Sequence, residues 1–178
     1  MTSSDRDRTV DLHTHKLLNH YNRGVANFKL GNHHAAIVDY DRTIALEPSF
    51  AEAYNNRGLA KFEVNDITGA ICDYSIALFL NPKFAKAYNN RGIAKSQLTD
   101  RLDEIADYNQ AIFLDPHLSE SYYNRGVAKA ELGDIHSAIF DYDIAIELNP
   151  HDADAHSNRD VLRQTLGIAK DLDRYFKT

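Results

Sequence analysis

Histidine is the residue type in this sequence that could most readily do chemistry, because nine histidines are available to bind a metal ion. Two pairs stand close together, His13 with His15 and His33 with His34. Adjacent residues on a helix diverge by about 100°, so His33 and His34 point apart and form a poor chelate. His13 and His15 lie in a polar stretch, and a structural metal site needs about four well-spaced ligands. The sequence therefore predicts surface histidines and no metal site.

Other catalytic patterns are also missing from the sequence. It contains no glycine-rich phosphate loop and no nucleophile elbow. The single cysteine, Cys72, has no partner for an internal disulfide and no metal-ligand spacing around it. We therefore predict that the protein is not an enzyme and binds no cofactor.

The charge of the chain limits the classes of partner. A formal net charge of -6 and a pI near 5.8 argue against a nucleic-acid or membrane-surface binder, which needs a positive field, and favour a basic partner. No run of about eighteen apolar residues is present, and the N-terminus is charged where a signal peptide would be apolar. We therefore expect a cytoplasmic protein.

A period of 34 residues organises the chain. The residues that recur at this step are Pro48, Pro82, Pro116 and Pro150; Gly24, Gly58, Gly92 and Gly126; Tyr40, Tyr74, Tyr108 and Tyr142; and Leu46, Leu80, Leu114 and Leu148. With the glycine as repeat position 8, four units run 17–50, 51–84, 85–118 and 119–152, and a truncated fifth begins at 153.

Each unit has the apolar spacing of two helices, called A and B. In the second unit, Ile67, Ala70, Ile71, Tyr74 and Leu78 fall on one face of helix B. Helix A precedes it over residues 51–64, and the short joints "GN", "ND", "TD" and "GD" contain a residue that tolerates a left-handed conformation or an Asp or Asn that caps helix B. The proline at position 32 then stops helix B.

These residues resemble the tetratricopeptide repeat over 17–152. The pattern is a small residue at position 8, Ala or a near equivalent at positions 20 and 27, Tyr at 24 and Pro at 32. Two departures, Glu104 at position 20 and Thr43 at position 27, should loosen local packing. The resemblance implies an all-α, right-handed superhelix of stacked hairpins, with the A helices lining a concave groove.

The two ends of the chain depart from the repeat. Residues 1–16 are polar, with Val10 and Leu12 as anchors, and predict a loose arm. A terminal unit must be altered to meet water, and the fifth unit replaces the glycine with Asp160 and lacks the proline. We interpret 153–178 as a cap made of one helix at 153–166 and a shorter one at 168–177.

The resemblance implies a groove lined by positions 2, 5, 9, 12 and 13 of the A helices. The groove residues so predicted are Tyr21, Val25, Phe28, Asn55, Leu59, Phe62, Lys86, Asn89, Ile93, Tyr123 and Val127. The position 9 row is wholly apolar and suits an extended or helical peptide, although the neighbouring repeat could cover part of it. We therefore expect a non-enzymatic adaptor that binds a protein or peptide.

One known use of the fold is disfavoured. Co-chaperone members of the family hold a C-terminal dicarboxylate with basic and Asn residues at fixed positions. In the first three units these places hold Tyr21, Val25, Asn56, Lys86 and Asn90, so two of the basic residues are missing. A clamp for chaperone tails is not expected.

An alternative function rests on the outer face of the B helices. Positions 22, 26 and 29, where the family usually places charge, are largely apolar. The residues of this convex face are Cys72, Ile76, Phe79, Phe113, Phe140 and Ile144. Scattered apolar surface residues are ordinary, and the competing hypothesis is a homo-oligomeric scaffold that assembles through this face.

The repeated phrase "AYNNRG", at 53–58 and 87–92, carries two further predictions. Its arginine at position 7 pairs with an aspartate at position 23, within a unit or between neighbouring units, because a desolvated guanidinium needs a carboxylate, and is therefore structural. Its first asparagine, Asn55 or Asn89, meets a ligand, whereas its second tethers the backbone or a neighbouring helix. The repeated tyrosines are expected to pack in the core.

Overall fold

The chain folds into an all-α helical repeat solenoid. The computed structural model describes the backbone of residues 3–98 and 101–176, and the side-chain environments of residues 12–98 and 103–167. Within the described backbone there are nine helices and no strand. They are α1 (Ser3–Lys29), α2 (His33–Leu46), α3 (Ala51–Glu63), α4 (Ile67–Leu80), α5 (Ala85–Ser96), α6 (Arg101–Leu114), α7 (Ser119–Glu131), α8 (Ile135–Leu148) and α9 (Ala153–Phe176).

Consecutive helices form antiparallel hairpins that stack along the solenoid. The pairs α1/α2, α3/α4, α5/α6 and α7/α8 pack within a hairpin, and each second helix also packs on the first helix of the next pair. Each hairpin therefore buries its apolar face only with the help of its neighbour, as expected for a repeat protein.

The turns between A and B helices follow the sequence closely. Gly31, Asn65 and Gly133 adopt φ values of 76°, 64° and 82°, the left-handed region that ends helix A. Asp66 and Asp134 then accept hydrogen bonds from the backbone N–H of the third residue on, which caps α4 and α8. Asn32 makes no such side-chain bond, so its predicted capping role is wrong. The corresponding residues 99 and 100 lie outside the described residues.

The glycine at position 8 permits the close contact within each hairpin. A Cβ added to Gly58 would lie 2.7 Å from Cε1 of Tyr74, and the equivalent distance from Gly92 to Tyr108 is 2.6 Å. Both tyrosines are buried, as are Tyr40 and Tyr142. Burial raises the pKa of Tyr142 to about 12, so its hydroxyl stays protonated at neutral pH. The prediction that the helix B tyrosines form the core is confirmed.

Both departures from the repeat pattern are buried. Glu104 is 1% exposed, yet the glycine contact in its hairpin is as close as in the others, so no loosening is seen there. Thr43 is 0% exposed, and its hydroxyl donates to the carbonyl oxygen of Asp39. That bond replaces the water that the hydroxyl loses on burial.

The ends of the chain differ from the sequence prediction. Residues 3–16 continue helix α1 and do not form a loose arm; Leu12 is exposed, and the Val10 side chain lies outside the described environments. Residues 153–176 form one uninterrupted helix, so the predicted break near Gly167 and the separate final helix are wrong. A lone glycine costs a helix only about 1 kcal/mol, which long flanking turns can absorb.

Candidate peptide-binding groove

The A helices line a concave surface with a cavity at its centre. This cavity has a volume of about 560 Å³ and lies across α3, α5 and α7 up to the start of α9. Its lining residues are Asn55, Asn56, Leu59, Lys86, Asn89, Asn90, Ile93, Leu118, Glu120, Tyr123, Asn124 and Asp152. Six of the predicted groove residues are therefore brought together here, and both apolar and hydrogen-bonding groups face the same space.

The other predicted groove residues flank this central cavity. Val25 and Phe28 line a smaller cavity of about 130 Å³ between α1 and α3, together with Leu59. Val127 lines one of about 200 Å³ between α5 and α7, together with Ile93. The position 9 row is half-buried, so the neighbouring repeats cover part of each side chain and leave the rest accessible.

Two predicted groove residues are largely engaged in packing. Tyr21 packs against Phe50 with ring centroids 4.9 Å apart and the ring planes tilted by 39°, and Phe62 packs against the buried cluster that contains Tyr74. Burial raises the pKa of Tyr21, whose hydroxyl accepts a hydrogen bond from Asn56. These rings support the wall of the groove.

A chain of amide hydrogen bonds joins successive A helices along the groove. The position 6 asparagine of each unit donates to the position 5 side chain of the unit before it, 35 residues earlier in every case. The four bonds are Asn56 Nδ2 to Tyr21 Oη (3.0 Å), Asn90 Nδ2 to Asn55 Oδ1 (3.0 Å), Asn124 Nδ2 to Asn89 Oδ1 (3.2 Å) and Asn158 Nδ2 to Tyr123 Oη (3.2 Å). The prediction that the second asparagine tethers a neighbouring helix is confirmed.

The first asparagine of the repeated phrase is more buried than the sequence suggested. Asn55 and Asn89 are 5% and 7% exposed. The Oδ1 atom of Asn89 accepts from both Ser121 and Asn124, and the amide of Asn55 donates to Asn56. Asn55 and Asn89 thus form the floor of the cavity, and Asn56, Asn90 and Asn124 are half-buried beside them.

Several groove residues were missed in the sequence, although the repeat register could have found them. Asn124 shares position 6 with Asn56 and Asn90, and Leu118 and Asp152 both stand at position 34, just before a new A helix. A residue at that position enters the groove because the chain turns there from the convex to the concave side. For Asn124, the signal in the sequence was the recurrence of asparagine at position 6 of successive units.

Arginine–aspartate pairs fix each hairpin, as predicted. Arg57 donates through Nε to Asp73 Oδ2 at 2.7 Å and through Nη2 to Asp73 Oδ1 at 2.6 Å. The same bidentate hydrogen bonding joins Arg91 to Asp107 and Arg125 to Asp141. Arg23 pairs with Asp39 in the first hairpin, and these hydrogen bonds hold the pKa of Asp39 below its usual value. These arginines are therefore structural.

The same arginines also link neighbouring hairpins, through residues at position 25 and not through the position 23 aspartates. The free Nη1 of Arg57 donates to Asp41 at 2.7 Å, and that of Arg125 donates to Asn109 at 2.7 Å, both in the preceding unit. A lysine one turn further along helix A adds a second cation to the buried aspartate, as with Lys61 on Asp73 at 2.8 Å. The position 23 aspartate thus holds its own hairpin, and Arg57 and Arg125 also join their hairpins to the one before.

The convex face is as apolar as expected. Phe79, Phe113 and Phe140 are 85%, 77% and 63% exposed, and Cys72 is exposed as well. Ile76 and Ile144, also on the B helices, are half-buried. Large phenylalanines are therefore presented to solvent on successive B helices.

Among the described residues there is no group of three or more His, Cys, Asp or Glu that could hold a metal ion. Over the same part of the chain no helix is both long enough and apolar enough to cross a membrane.

Comparison with known proteins places the repeats in a family. A profile described as "TPR repeat" matches residues 24–65, and one described as "Tetratricopeptide repeat" matches 119–152. No curated protein sequence matches significantly.

Solved structures show the same fold. A crystal structure of the MamA protein is similar with a TM-score of 0.76 at 21% identity, covering 91% of this chain and 88% of MamA. The first TPR domain of Spaghetti (RPAP3), bound to the HSP90 peptide SRMEEVD, has a TM-score of 0.64 at 25% identity, over 66% of this chain and 93% of that domain. The Arabidopsis OM64 TPR domain has a TM-score of 0.63 at 26% identity, over 65% of this chain and 95% of that one. This fold supports a role in protein–protein interaction, and the two matched segments of the chain are tetratricopeptide repeats.

Proposed function

We propose that this protein is a non-enzymatic adaptor that binds an extended peptide segment of a partner protein in its concave groove. The observation that carries the proposal is the central cavity of about 560 Å³, in which Leu59 and Ile93 provide an apolar strip and Asn56, Asn90 and Asn124 provide amides along it. An extended peptide presents alternating side chains and unpaired backbone groups, which such a surface can satisfy together.

The groove does not match a clamp for acidic tails. The RPAP3 domain to which this chain is similar was solved with the acidic peptide SRMEEVD. Here Lys86 shares the central cavity with two carboxylates, Glu120 and Asp152. An acidic tail would meet like charge at one end of this cavity, so we expect a different class of peptide.

Removing the apolar strip should abolish peptide binding. Peptides of about ten residues, long enough to span the groove when extended, are displayed as a random library and selected on the immobilised protein. A Leu59→Glu/Ile93→Glu variant should lose at least about tenfold in affinity for the enriched peptides, because it places two charges where apolar side chains dock. Affinity is measured by fluorescence anisotropy.

The control for this experiment is a convex-face variant, Phe79→Asp/Phe113→Asp, which should bind the selected peptides as the wild type does. Because Leu59 packs on a buried cluster, a Leu59→Ala/Ile93→Ala variant is included, and all variants are compared by circular dichroism. Equal affinity of the folded groove variants and the wild type would contradict the proposal.

A second candidate function is a homo-oligomeric scaffold that assembles through the convex face. It is favoured by the exposure of Phe79 and Phe113, 85% and 77%, at the same position of successive B helices. Large apolar patches exposed on a protein surface usually mark interaction sites.

Light scattering tests this candidate. If the convex face is an interface, the wild type is larger than a monomer and the Phe79→Asp/Phe113→Asp variant is monomeric, because a charge buried in the interface would be left unpaired. The groove variant Leu59→Ala/Ile93→Ala should keep the oligomer. A wild type that stays monomeric at all usable concentrations would contradict assembly through the convex face.

A further inference from the structure

The charges on the rim of the groove are unevenly distributed. Repeat position 2, at the exposed start of each A helix, carries Glu52, Lys86, Glu120 and Asp154 in successive units. Among the residues whose side chains are described, none of these four forms an ion pair within the chain. Asp152 adds a further carboxylate to the central cavity at the α9 end. The rim is therefore acidic toward α7 and α9.

The field of these carboxylates reaches the wall of the cavity. Tyr123 lines the central cavity on α7, and its pKa is raised by burial and, beyond that, by the negative charges of Asp154 and Asp152. A cation placed in this part of the cavity would be stabilised by the same charges, with weaker screening than on an open surface.

The opposite end of the groove is mainly apolar. The small cavity between α1 and α3 is lined by Val25, Phe28, Tyr40 and Leu59, and Lys29 and Asn56 complete its wall. Its volume of about 130 Å³ suits one large apolar side chain. The groove thus changes from mainly apolar, with one lysine, at α1/α3, through an amide band, to acidic at α7/α9.

We infer that the groove selects extended segments that carry a large apolar side chain at one end and a lysine or arginine at the other. This inference rests on the proposed function and adds the chemistry of the ligand. Three steps between neighbouring A helices, each about 8–10 Å, separate the two ends by roughly 30 Å. An extended chain covers that distance in about nine residues. The apolar side chain fills the α1/α3 cavity, and the cation lies between Glu120 and Asp152.

The composition of the peptides selected from the random library tests this inference. The expected result is enrichment of Lys and Arg over Asp and Glu, about nine residues from an enriched large apolar residue. Enrichment of acidic or uncharged ends, with loss of binding in the groove variants, would overturn this inference and leave the proposed function standing. If no selected peptide binds the wild type more tightly than it binds the groove variants, both this inference and the proposed function are overturned.

A charge reversal then tests the acidic end by itself. Glu120→Lys should lower the affinity for the selected basic peptide by about five- to tenfold, because it replaces an attraction with a repulsion on a partly screened rim. The wild-type affinity should fall as salt is raised, and the Glu120→Lys variant should show less of this dependence. Glu147→Lys, an equivalent reversal of an exposed carboxylate on the convex face, is the control. Equal affinities of the two variants would refute the assignment of the acidic end.

Discussion

Replacing Tyr74 with alanine is expected to lower the free energy of unfolding by about 4 kcal/mol. The ring is 1% exposed and packs between α3 and α4, where it lies against the backbone of Gly58 and in a cluster with Ala70 and Ala94. The neighbours of the ring are small residues on rigid helices, so they cannot collapse into the space it leaves. Urea unfolding followed by far-UV circular dichroism measures the loss.

Two matched variants separate the ring from the hydroxyl and from the glycine. Tyr74→Phe keeps the ring and should cost less than about 1 kcal/mol. Gly58→Ala should destabilise the wild type, because the new methyl group would lie 2.7 Å from the Tyr74 ring. In the Tyr74→Ala background the same change should become stabilising, since alanine favours a helix over glycine by about 1 kcal/mol. Simple additivity of the two changes would contradict this coupling.

The hairpins could be predicted because the same pair of packing residues recurs in four successive units. One glycine followed sixteen residues later by a tyrosine is weak evidence of contact, but Gly24, Gly58, Gly92 and Gly126 each have a tyrosine at that spacing. The only register that satisfies all four places the tyrosine ring over the glycine, and the structure has that contact. The arginine–aspartate pairs were predictable for the same reason.

The contacts between hairpins were harder to predict, because they depend on how adjacent repeats are rotated. The second asparagine was predicted to tether a neighbouring helix, but no pattern within one unit identifies Asn55, 35 residues earlier, as the partner of Asn90. The sequence predicts two helices after residue 152, whereas the structure has one, because a helix with enough flanking turns can include Gly167.

The groove was predicted as a surface but not as a graded one. The row of Val25, Leu59, Ile93 and Val127 followed from one repeat position. The acidic end combines Glu120 at position 2 with Asp152 at position 34, two positions that meet only after the loop turns into the next A helix. Ligand chemistry therefore depends on residues that a single-position register does not bring together.

Replacing Asp141 with alanine is the second change with a large expected effect, a loss of about 3 kcal/mol in the free energy of unfolding. The carboxylate is 0% exposed and accepts from Arg125 Nε at 2.9 Å, from Arg125 Nη2 at 2.7 Å and from Lys129 Nζ at 2.7 Å. Arg125 and Lys129 are themselves only 15% and 21% exposed. Alanine would leave two partly desolvated cations beside each other without their anion.

The control lies two residues away on the same helix. Asp143 is 41% exposed and pairs with Arg159 and Arg163 across the surface of α9, so Asp143→Ala should cost less than about 1 kcal/mol. Both variants change one aspartate to alanine in α8, so helix propensity is matched and burial is the main difference. If Asp141→Ala lowers the free energy of unfolding no more than Asp143→Ala does, water must hydrate Arg125 and Lys129 in place of the carboxylate. The arginine–aspartate pairs would then fix the geometry of the hairpin without stabilising it.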